Sequence, residues 1–260
     1  MSDQVSGESS ILQPRLSIVV PAYNEEHRIV STLQRMSDYF DSKSDPYEIL
    51  VVDDGSSDKT REIVNNFAEI NSKIQLLHYD GNKGKGYAVR YGVMQASGDF
   101  ILFTDADLAT PIEEVEKLMQ ALDGGCDIAI GSRDIPGAKL ERRQSFIREM
   151  GGKLFNRCVQ IIAVPGIHDT QCGFKLFHRA AARNIFGRCQ IDNFSFDVET
   201  LYIARLLGYS IQEIPVRWAH QAGSKVRFVR DAIRMLKTLF RIRLTNYEIK
   251  QASVKHTTTP

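Results

Sequence analysis

Leu16-Ser-Ile-Val-Val20, closed by Pro21, is a short β-branched run that reads as a buried strand handing the chain to a loop. Working outward from it, the period changes. From Glu26 to Phe40 the apolar side chains fall at Ile29, Leu33, Met36 and Phe40, the spacing of one helical face. The alternation then recurs: Glu48-Ile-Leu-Val-Val52 as strand, Lys59 to Ile70 as helix, Ile74-Gln-Leu-Leu77 as strand, Gly86 to Ala96 as helix, Phe100-Ile-Leu-Phe-Thr104 as strand. Strands that are apolar throughout and separated by helices predict an α/β fold, a mostly parallel, Rossmann-like sheet with helices on both faces.

Beyond residue 105 the chain predicts a helix opened by Thr110 as N-cap and Pro111 as first helical residue. A strand at Asp127-Ile-Ala-Ile130 and an amphipathic helix from Arg142 to Ala163 follow, then an extended stretch from Gly173 to Phe177. A helix from Asp197 to Leu207, a strand from Ile211 to Val216 and a helix from Arg227 to Leu244 complete the pattern.

The 260 residues carry 33 Lys and Arg against 32 Asp and Glu, a net charge of +1, and 43% are apolar. That is chain enough to bury a core without covalent staples. No apolar stretch approaches the ~20 residues of a membrane span, and the N-terminus lacks a basic-then-apolar signal pattern. The expectation is therefore a chain that is neither secreted nor membrane-spanning. Cys126, Cys158, Cys172 and Cys189 do not stand at metal-binding spacing and read as buried thiols in a reducing compartment; zinc is not expected. The balanced charge hides an asymmetry: from Pro215 onward there are ten basic residues against two acidic, a local +8 that leaves −7 on the rest. A basic surface of that kind suits an anionic partner.

In open α/β sheets ligands bind beyond the carboxyl ends of the strands. Three such ends carry acids here: Pro21-Ala-Tyr-Asn-Glu25, Asp53-Asp-Gly-Ser-Ser-Asp58 and Asp105-Ala-Asp107. Asp, Gly and Ser also make ordinary turns and caps, which is the plain reading of the second. The third is harder to explain that way, because two carboxylates so close repel unless a cation sits with them. A hard divalent ion, Mg²⁺ or Mn²⁺, with a diphosphate completing its shell, meets that need. Gly84-Lys-Gly86-Tyr-Ala-Val89 begins like a dinucleotide fingerprint but lacks its third small residue and follows the third strand rather than the first. P-loop and nucleophile-elbow patterns are absent.

Leu16-Ser-Ile-Val-Val-Pro-Ala-Tyr-Asn-Glu25, Val51-Val-Asp-Asp-Gly-Ser56, Gly84, Ala96-Ser-Gly-Asp99 and Asp105-Ala-Asp107 together resemble the inverting, family 2 nucleotide-sugar glycosyltransferases of the GT-A fold. Gly131-Ser-Arg133, Asp169-Thr-Gln-Cys-Gly-Phe-Lys175, Phe196-Asp-Val-Glu199 and Gly223-Ser-Lys225 are similar to the branch that charges a polyprenyl phosphate. Within it the dolichyl-phosphate glucosyltransferases are the nearer match and the mannose synthases the next. The resemblance spans Leu16 to Leu244. It implies a GT-A catalytic domain over residues 15–226; the residue pattern itself adds a disordered, apolar-poor tail over 1–14, a basic amphipathic helix over 227–246 and a flexible tail over 247–260.

By the same resemblance, Pro21, Ala22, Tyr23, Glu25, Val52 and Gly84 surround the donor nucleotide, Asp54 accepts from a uracil imide, and Asp105 and Ala106 complete the donor site. Asp105 and Asp107 are the implied catalytic and metal-binding acids, with Mg²⁺ or Mn²⁺ as cofactor. Asp169 is the implied base or acceptor-orienting acid. Arg133, Arg148 and Lys225 are implied on the acceptor phosphate, with Arg133 and Lys225 also reaching the donor. The implied reaction moves glucose from UDP-glucose to a dolichyl or polyprenyl phosphate at the cytoplasmic face of a membrane. The alternatives are a GDP-mannose enzyme and a soluble transferase acting on a sugar or protein hydroxyl. Mannose synthases commonly follow the acid pair with Leu-Gln and place Arg before the late Gly-Ser-Lys; here Leu108 precedes Ala109 and residue 222 is Ala, which favours glucose. Arg and Lys at 227, 230, 234, 237, 241 and 243, interleaved with Phe228, Ile233, Leu236, Phe240 and Leu244, would suit an anionic bilayer surface. No nucleic-acid motif accompanies them.

Overall fold

A computed structural model describes residues 13–142, 156–220 and 237–248. In chain order it contains β1 (Leu16–Ala22), α1 (Ile29–Asp41), β2 (Tyr47–Asp53), α2 (Thr60–Ile70), β3 (Ile74–His78), α3 (Lys85–Gln95) and β4 (Phe100–Thr104). A 3₁₀ turn (Ile112–Glu114), α4 (Val115–Asp123), β5 (Ile128–Ser132) and β6 (Lys139–Arg142) follow. A helix seen over 156–162, here α5, precedes β7 (Phe174–His178), α6 (Arg179–Phe186), α7 (Phe196–Leu206), β8 (Ile211–Pro215) and β9 (Arg217–Ala219). Residues 237–244 form α8.

Seven of the described strands make one sheet in the order β3-β2-β1-β4-β7-β5-β8, parallel except for β7, which runs antiparallel between β4 and β5. β6 and β9 pair separately. The strands' period of two divides the apolar side chains between two cores. Val19, Leu50, Val52, Ile101, Phe103, Ile128 and Phe177 face α3, α6, α7 and the described parts of α5 and α8. Ile18, Val20, Ile49, Val51, Leu102, Phe174 and Leu176 face α1 and α4. Fully buried side chains such as Phe103, Phe174 and Phe177 each contribute roughly 1.5–3 kcal/mol by leaving water. From β1 the chain turns back toward β2, whereas from β4 it continues toward β5 on the other side. Their carboxyl ends therefore diverge and open a crevice between adjacent strands.

The structure departs from the sequence reading in several places. Pro111, with ψ of 140°, precedes the 3₁₀ turn instead of opening an α-helix, and the Thr110 hydroxyl turns inward toward Cys172 Sγ. Arg142 ends β6, so no helix starts there; residues 143–155 of the expected helix lie outside the described residues. α8 buries Leu239 and Ile242, while Phe240 and Leu244, expected on its apolar face, are 57% and 83% exposed. Tyr247, expected in a flexible tail, is buried and donates its hydroxyl to Glu199 Oε1 at 3.0 Å. Among the described residues no helix is long and apolar enough to cross a membrane.

Candidate active site

β1 and β2 deliver their loops side by side, and the two loops are laced together. Asn24, in the left-handed region at φ 52°, takes a hydrogen bond from Ser57 N at 2.8 Å and donates its own N–H to Ser56 Oγ at 2.9 Å. Glu25 N donates to Thr60 Oγ1 at 2.7 Å, and the Glu25 carboxylate takes Arg28 Nε at 2.8 Å. Tyr23 is 38% exposed at the lip of this loop pair. Ala22, Val52 and Ala106 are buried in the cores. Val52 faces α3, where a Cβ on Gly92 would meet it at 2.8 Å. Its side chain is scaffold and not the wall of the donor site that the sequence suggested.

The acids of the second loop are used up inside the chain. Asp53 is fully buried and receives Arg61 Nε and Nη2 on Oδ2 at 3.1 and 2.9 Å and Ser56 N on Oδ1 at 3.2 Å. Asp54 accepts from Tyr79 Oη at 2.8 Å, Asn82 Nδ2 at 2.9 Å, Lys83 N at 2.8 Å and Gly84 N at 3.0 Å. Four donors fill the lone-pair sites of a carboxylate. The expected acceptance from a base imide therefore has no open position in this arrangement. What Asp54 does instead is fix the loop that leads into α3.

That loop places Lys85, a residue the sequence reading left without a role. Lys85 Nζ lies 2.6 Å from Asp105 Oδ1. Burial disfavours the ammonium, but Asp105, Asp197 and Asp107 outweigh it and raise the Lys85 pKa above the usual lysine range. Asp105 starts the loop leaving β4, held by its N–H to Gly173 O at 3.2 Å across the antiparallel pair with β7. A Cβ at Gly173 would stand 2.0 Å from Asp105 Oδ2, so a side chain at this position would push the Asp105 carboxylate out of its place. Leu108, at φ 45°, bends the chain so that Asp107 Oδ1 receives Ala109 N at 3.1 Å. A bulky residue held in the left-handed region stores strain of the kind found at functional sites. Burial and the neighbouring Asp105 push the Asp107 carboxyl above the usual range, against the Ala109 N–H, Arg28 and Lys85. Beneath them Lys175 Nζ pairs with Asp197 at 2.5 Å, both side chains nearly inaccessible.

Among the described residues no group of three or more His, Cys, Asp or Glu side chains could enclose a metal. Asp105 and Asp107 supply two hard oxygen donors at a partly open strand end. This fits Mg²⁺ or Mn²⁺, which commonly take one or two carboxylates and fill the remaining positions with substrate phosphate and water.

Asp169 and Arg133, expected on the sugar and on phosphate, come together on each other. Arg133 Nε and Nη2 form a fork on Asp169 Oδ2 and Oδ1 at 2.6 and 2.8 Å, and the Arg133 and Gln171 N–H groups add two more donors at 3.0 and 3.2 Å. Asp169 is wholly inaccessible; burial would raise its pKa, yet the guanidinium holds it below the usual range. An ionised, saturated, buried carboxylate cannot accept a substrate proton, so the expected base role is withdrawn and Asp169 is a positioning residue for Arg133. Glu213 on β8 secures the same segment, accepting His168 N and Asp169 N at 2.9 and 3.0 Å. The outer side of Arg133 lies over the Trp218 ring, 5.3 Å from its centroid. Arg148 and Lys225 lie outside the described residues.

Paired acids thus stand where a mostly parallel sheet reverses its winding, with Lys85 against one of them. The chain belongs to glycosyl transferase family 2, whose model matches residues 17–186, and it is an enzyme of the glycosyltransferase class. Its curated relatives include dolichyl-phosphate beta-glucosyltransferases. That of Dictyostelium discoideum is 40% identical over 240 residues, spanning 88% of this chain and 73% of the relative. The Homo sapiens protein is 38% identical over 247 residues, spanning 88% and 75%. Glucosyl-3-phosphoglycerate synthase from Mycobacterium tuberculosis, solved in complex with Mn²⁺, UDP and glucosyl-3-phosphoglycerate, matches with a TM-score of 0.63 at 19% identity, covering 92% of this chain and 82% of that one. The fold is the GT-A fold.

Proposed function

We propose that this chain transfers glucose from UDP-glucose to the phosphate of a dolichyl or other polyprenyl phosphate, with inversion, at the cytoplasmic face of a membrane. The observation that carries the reading is the contrasting state of the acids. Asp105 and Asp107 stand at the crevice with few chain donors, while Asp169, the expected base, is consumed by Arg133.

A phosphate acceptor makes a base unnecessary. With a second pKa near about 6, a phosphate monoester is largely dianionic at neutral pH and carries no proton that must be removed. Its oxygen attacks the anomeric carbon as the bond to the UDP oxygen breaks, and the electron pair leaves with UDP. A sugar or protein hydroxyl would need a base to take its proton, and the acid expected in that role is engaged. When bound at Asp105 and Asp107, Mg²⁺ or Mn²⁺ supplies positive charge for the leaving diphosphate. Pro21, Tyr23 and Glu25 form the nucleotide side of the site, Gly84 leads into Lys85 on the phosphate side, and Arg133 is held by Asp169 to meet an acceptor or donor phosphate. Arg148 and Lys225 are assigned to the same phosphates by the family resemblance. The names of the relatives support glucose and a dolichyl phosphate acceptor over mannose. The basic segment over 227–246, with Phe240 and Leu244 exposed, is assigned to the bilayer surface.

The test is a donor panel. Purified protein, a polyprenyl phosphate, Mg²⁺ or Mn²⁺ and labelled UDP-glucose, GDP-mannose and UDP-N-acetylglucosamine are incubated and the lipid is extracted. Label from UDP-glucose is the expected result; label from GDP-mannose alone, or no lipid product, would overturn the reading.

A further inference from the structure

Resting on the metal-dependent transfer proposed above, we infer that Lys85 stands in for the metal ion when none is bound. It neutralises Asp105, yields that oxygen when the ion arrives with the nucleotide, and turns its charge to the diphosphate. Lys85 is thus a positioning residue that couples metal binding to nucleotide binding.

The placement of Lys85 is enforced from several sides. Gly84 has φ of 102°, and a Cβ there would meet Asp192 O at 2.4 Å. A Cβ on Gly86 would meet Ile191 O at 2.5 Å and Phe196 Cβ at 2.6 Å. The glycines on either side of Lys85 let the backbone press against the segment that enters α7, where Gly86 N donates to Asp192 O at 2.8 Å. From the other side Asp54 clasps Lys83 N and Gly84 N. The side chain runs among aromatic rings, with Nζ 5.2, 5.9 and 6.0 Å from the centroids of Phe103, Phe196 and Phe194. The faces of those rings favour a cation held at this point.

The ion-pair pattern then decides the role. Asp197, the next acid toward the interior, is already taken by Lys175 at 2.5 Å, and Lys85 contacts Asp105 at 2.6 Å. A divalent ion on Asp105 would lie against the ammonium, so loading by the ion alone is opposed by like-charge repulsion in a partly desolvated site. Loading together with a diphosphate is not, because the ammonium gains an anion as it gives up Asp105. Coupling of this sort is reciprocal: the nucleotide strengthens ion binding by the factor with which the ion strengthens nucleotide binding.

The experiment titrates Mn²⁺ into the full chain, following free Mn²⁺ by electron paramagnetic resonance, with and without saturating UDP. For Lys85→Gln and Lys85→Met, affinity for Mn²⁺ alone is expected to rise about tenfold, with a comparable fall in the enhancement produced by UDP. Lys85→Arg, which keeps the charge, is expected to match the wild type. A merely structural lysine would weaken Mn²⁺ binding, or leave it unchanged, once neutralised, and either result in the Gln or Met variant would overturn the inference. The two readings fail separately. Unchanged Mn²⁺ affinity with lipid glucosylation intact removes only the role of Lys85, whereas coupled Mn²⁺ and UDP binding without lipid product removes only the acceptor assignment.

Discussion

β2 and β4 each end in a pair of aspartates at the same edge of the sheet, and the fold treats the pairs in opposite ways. Asp53 and Asp54 are surrounded by donors from Arg61, Ser56, Tyr79, Asn82 and the backbone of residues 83 and 84. Asp105 has Lys85 as its ion pair, and Asp107 receives the N–H of Ala109. Along the chain each pair follows an apolar strand. The difference teaches that an acid is available for chemistry according to how many donors the rest of the fold aims at it. The first pair organises the loop into α3, and the second is the one that the proposed function gives to a cation and a substrate.

The contrast is broken or sharpened most strongly at a third committed acid. Arg133→Met leaves Asp169 charged, buried and without its fork, and should cost about 3–5 kcal/mol. For a chain of this size that lowers the melting temperature by about 10 °C. An unchanged melting temperature would mean that Asp169 is not committed to Arg133. Asp54→Ala is next: it strands the N–H groups of Lys83 and Gly84 together with the Asn82 and Tyr79 side chains, at about 2–4 kcal/mol. Thermal unfolding measures it, and a loss of turnover without destabilisation would instead place Asp54 on the ligand.

The smallest stability effect is expected at Asp107. Its carboxyl is raised above the ordinary range by burial and by Asp105, so the folded chain binds that proton more readily than the unfolded chain does. Stability therefore falls as pH rises through the raised value, and at pH 7.5 the ionised Asp107 is a cost. Asp107→Asn should melt at or slightly above the wild type at pH 7.5. The difference should close as pH drops below the ordinary carboxylate value, where both chains are neutral at this position in the folded and unfolded states. A clearly lower melting temperature at pH 7.5 would place Asp107 with the structural acids.

Much of the fold was legible because buried parallel strands are continuous apolar runs and the helices between them keep one apolar face. Ile29, Leu33, Met36 and Phe40 stand at one-face spacing and are all buried. α6 escaped because it is short and its buried face is made largely of Ala181 and Ala182, beside Ile185 and Phe186. β6 and β9 are four and three residues long, and their pairing across more than 70 residues leaves no local pattern. In the site, Asp105 and Asp107 were legible because they follow a strand directly. The commitments of Asp54 and Asp169 were not, since their donors arrive from residues 79–84 and from Arg133. Lys85 carried one signal, a lysine between two glycines at the start of a helix, whose meaning rests on the backbone of residues 191–192.

Turnover of Asp107→Asn with UDP-glucose and a polyprenyl phosphate, measured beside its melting temperature, tests the division between the two acid pairs most directly. The expected result is a loss of at least about 100-fold in a chain that folds as well as the wild type, as removal of a metal ligand should exceed the 10–100-fold cost of disturbing its outer-shell partners. Turnover within a few-fold of the wild type would contradict it, because the pair at the end of β4 would then be no more catalytic than the pair at the end of β2.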